Sequence, residues 1–281
     1  GLKAALIERG NLASGCTKNS HQNLVSGMRY VVKDPEVARE CASENVILLN
    51  IAPHLIYGKA NYWVGWKNSY FSRAMAAARE LGVVAEQVDI GEVYKEIPSL
   101  ASGFEVAIKT ADRNIDATGF CKANLKSGLS KGGDYFPQTE LNEIINLEEG
   151  FQLKAEGLDL KSKLVVNATG AWANDVLKKL DTSISLCYNQ GTIIVQEALS
   201  SRGLQLLEMP GNGQAYIVHE GRAWLGTTSK DLEDPSQVGP EEGAEEVLKM
   251  KLAKIIPGVV DRKVDAAFSG VRPLYAGEEE E

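Results

Sequence analysis

Leu2-Lys3-Ala4-Ala5-Leu6-Ile7 is a largely apolar run that ends on Glu8-Arg9-Gly10, and a loop rich in Ser, Thr, Asn and Gly follows from Asn11 to Gly27. A short strand tipped by a carboxylate and followed by small residues is how the second strand of a dinucleotide-binding unit ends. There the carboxylate accepts hydrogen bonds from ribose hydroxyls, while the pyrophosphate lies over a glycine loop after the first strand. That strand and loop do not precede Leu2. The pattern therefore predicts a unit entered partway, lacking roughly one strand and turn or belonging to a longer enzyme. Glu8 also has a plainer reading as a solvated strand end. The loop weighs against it, because Ser14, Gly15, Thr17 and Ser20 suit close approach to a large ligand better than a simple connection of about two to six residues.

The composition narrows the class. With 281 residues, 44% hydrophobic and 24% charged, the chain suits one large core or two medium ones. Net charge is −8, and the 30 basic residues are scattered among 38 acids, which argues against nucleic acid as a partner. Cys16, Cys41, Cys121 and Cys187 lie far apart and do not cluster with His21, His54 or His219, so neither a metal site nor a disulfide framework is expected. A reducing cytoplasm fits this usage. No apolar run approaches the roughly 20 residues of a membrane span, which leaves room for peripheral membrane contact and for a homo-oligomer.

Local patterns place the elements. Asp34-Pro35-Glu36 reads as N-cap, first helical proline and first-turn acid, opening a helix from Pro35 to Ile51. Asn61 to Val64 reads as a strand, and Phe71 to Leu81 as a helix closed by Gly82. Val83 to Val88 and Phe104 to Lys109 are extended, and a third helix spans Ala117 to Ser130. Strands are expected at Glu143–Leu147, Phe151–Ala155, Lys163–Asn167, Gly191–Gln196, Gln214–His219 and Ala223–Thr227, with a helix over Glu241–Ile256. Gly211-Asn212-Gly213 reads as a hairpin turn, and Glu278–Glu281 as a solvated end.

Interleaved helices and strands together with antiparallel-type stretches predict an α/β fold with two discontinuous domains. Segments 1–60, 113–178 and 253–281 form one, and 61–112 and 179–252 the other. Arg29, after Ser26-Gly27, and Arg272, between Gly270-Val271 and Pro273, are candidate anion contacts, because a guanidinium stays charged and can grip phosphate or carboxylate with two parallel bonds. Surface ion pairing is the plainer reading of each. His21 reads as an ordinary polar contact, since no orienting partner is evident for acid–base work.

Five segments carry a resemblance: Ala5-Leu6-Ile7-Glu8-Arg9-Gly10; Ser26-Gly27-Met28-Arg29-Tyr30 with Glu40-Cys41-Ala42-Ser43-Glu44-Asn45; Val165-Val166-Asn167-Ala168-Thr169-Gly170-Ala171-Trp172; Gly226-Thr227-Thr228; and Ser269-Gly270-Val271-Arg272-Pro273-Leu274. Together they resemble the FAD-dependent glycerol-3-phosphate dehydrogenases among the D-amino-acid-oxidase-like flavoproteins. The resemblance implies an incomplete Rossmann-like FAD-binding domain interleaved with an antiparallel-sheet substrate domain. It implies that Glu8, with Arg9 beside it, contacts the ribose, and that Ser14, Thr17 and Ser20 lie along the flavin. Ala168, Thr169, Gly170 and Gly270 would pass near the cofactor, and Arg29, Tyr30 and Arg272 would face the substrate.

The implied reaction is oxidation of sn-glycerol 3-phosphate to dihydroxyacetone phosphate by hydride transfer to flavin, with electrons passing to a quinone or another acceptor. It implies a cytoplasmic location, with contact at the inner face of the membrane as an option. Two departures stand out: Val25 falls where relatives usually carry a histidine, and Ile193 where the aerobic branch has a substrate-facing histidine, the apolar residue being closer to the anaerobic branch. An amino acid or 2-hydroxy acid as substrate, and a noncatalytic scaffold unable to hold FAD, remain alternatives.

Overall fold

The computed structural model describes residues 2–208 and 215–277. Gly211-Asn212-Gly213 and Glu278–Glu281 lie outside the described residues. In chain order the strands are β1 (Ala5–Ile7), β2 (Asn23–Leu24), β3 (Ile56–Tyr57), β4 (Tyr62–Gly65), β5 (Ala85–Val88), β6 (Val106–Thr110), β7 (Arg113–Ile115), β8 (Asp134–Phe136), β9 (Leu141–Leu147), β10 (Gly150–Ala155) and β11 (Leu158–Ser162). Then come β12 (Leu186–Glu197), β13 (Leu204–Leu206), β14 (Ala215–His219), β15 (Arg222–Gly226), β16 (Lys230–Leu232) and β17 (Val264–Tyr275). The helices are α1 (Pro35–Ile51), α2 (Ser69–Leu81), α3 (Ile90–Glu96), α4 (Ala117–Ser130), α5 (Ala173–Leu177) and α6 (Ala244–Leu252).

Helix ends follow the local chemistry. Asp34 caps α1 by accepting the Val37 N–H, and Gly82 ends α2 in the left-handed region at φ 70°. The short helix α3 was not anticipated from periodicity. Its signal is a capping pattern, Asp89-x-x-Glu92, in which the Asp89 carboxylate accepts the Glu92 N–H at 3.0 Å. Gly243, at φ 77°, delays the start of α6 to Ala244, so the helix is shorter than Glu241–Ile256.

One mixed nine-stranded sheet dominates, in the order β16-β12-β15-β14-β13-β4-β6-β5, with β17 paired along the other edge of β12. Alternation along its strands sends side chains to two cores. Tyr62 and Val64 of β4, with Ala107 of β6, join Leu248 and Leu252 of α6 and Val93 of α3. Trp63, Val106 and Ile108 face the other way, onto Phe71, Ala74 and Ala78 of α2 and Ala38 of α1. Elsewhere, β1 pairs in parallel with β8, and β9, β10 and β11 form an antiparallel sheet.

The expected strand at Lys163–Asn167 does not form. Leu164 and Val166 are 70% and 77% exposed, and Ser162 Oγ exchanges local bonds with Leu164 in place of a ladder. An apolar run becomes a strand only when a neighbour takes its backbone groups, and no strand among the described residues does so. Leu252, by contrast, is fully buried. Leu252→Ala is expected to lower unfolding free energy by about 2–5 kcal/mol, and Val166→Ala to change it by less than about 0.5 kcal/mol, both measured by urea denaturation.

Candidate functional site

The arm that carries Arg29 is fixed by a buried carboxylate. Asp112, 1% exposed, accepts from the Ser26 N–H at 2.6 Å, the Ser26 hydroxyl at 2.7 Å and Trp63 Nε1 at 3.3 Å. A buried carboxylate is costly without such donors, so three of them hold the β6–β7 turn, the arm and β4 in one arrangement. Gly27 then turns at φ 103°, where a Cβ would collide with the Ala38 carbonyl, and a 3-10 turn runs over Met28–Tyr30. Met28 is buried and Tyr30 packs its ring against the second core. Arg29 forms no hydrogen bond or ion pair among the described residues.

Arg272 sits on β17 directly opposite Asn189 of β12. Its Nε and Nη2 donate to Asn189 Oδ1 at 3.1 and 2.7 Å, and Nη1 donates to Thr227 Oγ1 at 3.2 Å. Nη2 also reaches the Gln190 and Thr228 carbonyls at 3.1 and 3.2 Å. The head lies flat over β12 because position 191 is glycine: a Cβ there would sit 2.9 Å from Nη2. Partial burial, and then the Arg29 charge, lower the Arg272 pKa, so the two guanidiniums feel one another.

His21 lies in the same field. Its Nε2 is enclosed and has no hydrogen-bond partner among the described residues, although part of the residue stays accessible. Burial, reinforced by Arg29, His219 and Arg272, lowers its pKa from 6.5 to about 4, so the ring is neutral near pH 7. The orienting partner that the sequence did not show acts on the His21 backbone. His219 Nε2 lies 2.9 Å from the His21 carbonyl, and its Nδ1 lies 3.0 Å from the Tyr57 hydroxyl. A carbonyl only accepts, so His219 carries its proton on Nε2 and Tyr57 donates to Nδ1. Trp224 packs on the His219 ring at 4.4 Å.

The proposed cofactor segments converge on the other side of β17. Glu8 stands at the C-terminal tip of β1, where its Oε1 accepts the Gly10 N–H at 2.7 Å and no cation pairs with it among the described residues. Arg9 turns elsewhere, 5.5 Å over the Trp172 ring and 3.7 and 3.8 Å from Glu140 and Asp175. The loop docks on β17 through the Cys16 thiol, 2.9 Å from the Val271 carbonyl. At Gly270 a Cβ would lie 2.5 Å from the Asn19 carbonyl, so this glycine accommodates the loop. Ser20 Oγ donates to the Thr17 carbonyl, and Ser14 Oγ lies beside Gly10.

Thr169 bonds to Asn167 through its N–H and its hydroxyl, leading from Ala168 into the 3-10 turn Gly170–Trp172. Gly15 rests beside Trp172, which joins this turn to the loop. A preorganised, unpaired carboxylate at a parallel strand tip, beside two glycine-containing turns, has the acceptor chemistry that the ribose end of FAD requires. The residues present fit that group.

Asn189, Asp112 and His219 were not singled out from sequence. The readable signal for Asn189 is the polar run Asn189-Gln190-Gly191-Thr192 leading into Ile193-Ile194, since buried polar groups need partners. A cleft of about 640 Å³ opens elsewhere, lined by Tyr62, Glu86, Asp89, Glu92, Glu96 and Lys109 among others. It contains none of the candidate residues, and its acids disfavour an anionic ligand.

A model of the FAD dependent oxidoreductase family matches residues 1–280. Anaerobic glycerol-3-phosphate dehydrogenase subunit A1 of Haloferax volcanii is 30% identical, covering 98% of this chain and 50% of the relative. The chain spans about half the length of the curated relatives it matches. Among solved structures, glycine oxidase from Geobacillus kaustophilus superposes with a TM-score of 0.82 at 20% identity, covering 99% of this chain and 80% of that one. L-alpha-glycerophosphate oxidase from Mycoplasma pneumoniae with FAD bound gives 0.83 at 14% identity, covering 99% and 78%.

The folded pKa of His21 lies below its unfolded value. Between about pH 6.5 and 4 the unfolded chain therefore takes up a proton that the native state refuses, and stability falls as pH falls. This linkage is worth at most about 3 kcal/mol. Urea unfolding at pH 7.5 and 4.5 is expected to show a smaller acid loss in His21→Gln than in the wild type.

Proposed function

This chain belongs to the FAD-dependent oxidoreductase family, and from that premise we propose that it oxidises sn-glycerol 3-phosphate to dihydroxyacetone phosphate. The observation that carries the reading is the pair Arg29 and Arg272, close enough to perturb one another and without an ion-pair partner for either among the described residues. Two like charges held together in a protein of net charge −8 are relieved best by a dianion, which a phosphate monoester provides and a carboxylate does not. The Haloferax volcanii relative, named as a glycerol-3-phosphate dehydrogenase subunit, supports the same substrate.

Bound FAD would supply the two-electron acceptor for the hydride leaving the substrate carbinol carbon, with the hydroxyl proton released to solvent. The residues of the chain bind and orient. Arg29 and Arg272 anchor the phosphate through charge-assisted hydrogen bonds, which fixes the carbinol relative to the cofactor. Glu8 would hold the ribose hydroxyls, Arg9 would back that end from its place over Trp172, and the turns containing Ser14, Thr17, Ser20, Ala168, Thr169, Gly170 and Gly270 would line the cofactor. Tyr30 stiffens the Arg29 arm, with its hydroxyl available to substrate.

Segments 1–60, 113–178 and 253–281 then form the FAD-binding domain, and 61–112 and 179–252 the substrate domain. The β12–β17 ladder runs across that division. A quinone or another acceptor reoxidises the enzyme in the cytoplasm or at the inner membrane face, and no helix among the described residues is long and apolar enough to cross a membrane.

Anaerobic mixing of the FAD-loaded chain with glycerol 3-phosphate is expected to bleach the flavin absorbance. Reduction by an amino or 2-hydroxy acid, with none by glycerol 3-phosphate, would falsify the reading. Arg29→Ala and Arg272→Ala are each expected to raise KM for glycerol 3-phosphate by about 10- to 100-fold, corresponding to about 1.4–2.8 kcal/mol of lost binding.

A further inference from the structure

We propose that Asn189 is a positioning residue that closes the two-donor edge of Arg272, so that Arg272 meets an anionic substrate through one N–H and the site favours a tetrahedral phosphate ester over a planar carboxylate. This rests on the assignment of Arg272 as substrate-facing.

A guanidinium has five N–H donors and two edges on which a pair of them lies parallel. The edge formed by Nε and Nη2 is filled by Asn189 Oδ1, which accepts from both at 3.1 and 2.7 Å. That oxygen stands where one carboxylate oxygen would otherwise sit. The end-on edge is closed as well, because Nη2 is also engaged by the Gln190 and Thr228 carbonyls. One hydrogen of Nη1 goes to Thr227 Oγ1, leaving one N–H of the five without an acceptor.

The orientation of Asn189 is set by charge. Its Nδ2 donates to Asp231 Oδ1 at 2.7 Å and to Ser229 Oγ at 3.0 Å. Turning the amide over would place its oxygen against the Asp231 carboxylate and its NH₂ against the guanidinium, two repulsive contacts in exchange for two attractive ones. Asp231 therefore holds Asn189, and Asn189 holds Arg272.

Arg29 supplies what Arg272 has lost, since its whole fork is unengaged among the described residues. Two donors from Arg29 and one from Arg272 come from separate side chains onto one anion. Three donors match the three terminal oxygens of a phosphate monoester. A carboxylate has two coplanar oxygens and leaves one donor unused.

The test uses the FAD-loaded full chain and two ligands that need no turnover, inorganic phosphate and acetate, titrated through the flavin absorbance. Asn189→Ala reopens the Nε/Nη2 edge and is expected to tighten acetate, lowering the phosphate-to-acetate affinity ratio at least fivefold. Asn189→Asp keeps an oxygen in the fork; both anions should weaken while the ratio stays within twofold of wild type. Asn189→Ser, too short to reach the fork, is expected to behave as the alanine variant and serves if that variant does not fold. A ratio unchanged in both short variants, or equally changed in Asn189→Asp, overturns the proposal. If the wild-type flavin is reduced only by carboxylate substrates, the glycerol 3-phosphate assignment falls separately, and the ratio shift still decides the role of Asn189.

Discussion

The antiparallel ladder between β12 and β17 is the constraint on which both the sheet and the site depend. It pairs Leu186 with Tyr275 at one end and Gln196 with Val264 at the other, with one irregularity at Val195/Gln196. Residues far apart in sequence thereby face each other in a fixed register, and a slip by one residue would turn every side chain to the opposite face. Arg272 meets Asn189 only in this register. The opposite edge of β12 is shared by β15 and β16, which bring Thr227, Thr228 and Asp231 to the same place. Ladder bonds that cost no side-chain freedom have thus prepaid much of the ordering of the arginine site.

The second constraint is electrostatic. Asp112 and the Arg29–Arg272 pair are opposite solutions to placing charge in a folded chain. Asp112 is fully buried and satisfied by three donors, so its charge is spent on structure. Among the described residues the arginines have no carboxylate of their own; Arg272 is held by neutral oxygens that fix its direction without neutralising it. The neutral carbonyl and amide partners leave a net positive field beside β17, which adds to burial in keeping His21 unprotonated. Such a field is unfavourable for the empty protein and favourable for an anion, which is how binding sites differ from structural ion pairs.

Elements governed by neighbours in sequence are legible in the sequence alone. Asp34-Pro35 and the periodic apolar residues fix α1, and the span Ala117 to Ser130 reads as α4, whose Asp116 cap the structure adds, because capping and helical period act within a few residues. The Lys163–Asn167 segment shows the limit of that logic. Its apolar run is as strong as that of a core strand, but a strand needs a partner, and partnership is a tertiary property. Helix α3 shows the reverse: only seven residues long, it was hidden from periodicity and visible in its cap.

The sequence by itself determined the chemistry available: an acid at a strand tip, glycines where the backbone must turn, and two arginines flanked by rigid residues. Tertiary structure decided what that chemistry can do. It spent four of the five donors of Arg272 on Asn189, Thr227 and two carbonyls, and left Arg29 unspent among the described residues. It gave Gly270 to the Asn19 carbonyl, and it buried His21 where a proton is unwelcome. Which donors stay free depends on strand register and on contacts between residues far apart in the chain, and no local pattern encodes those.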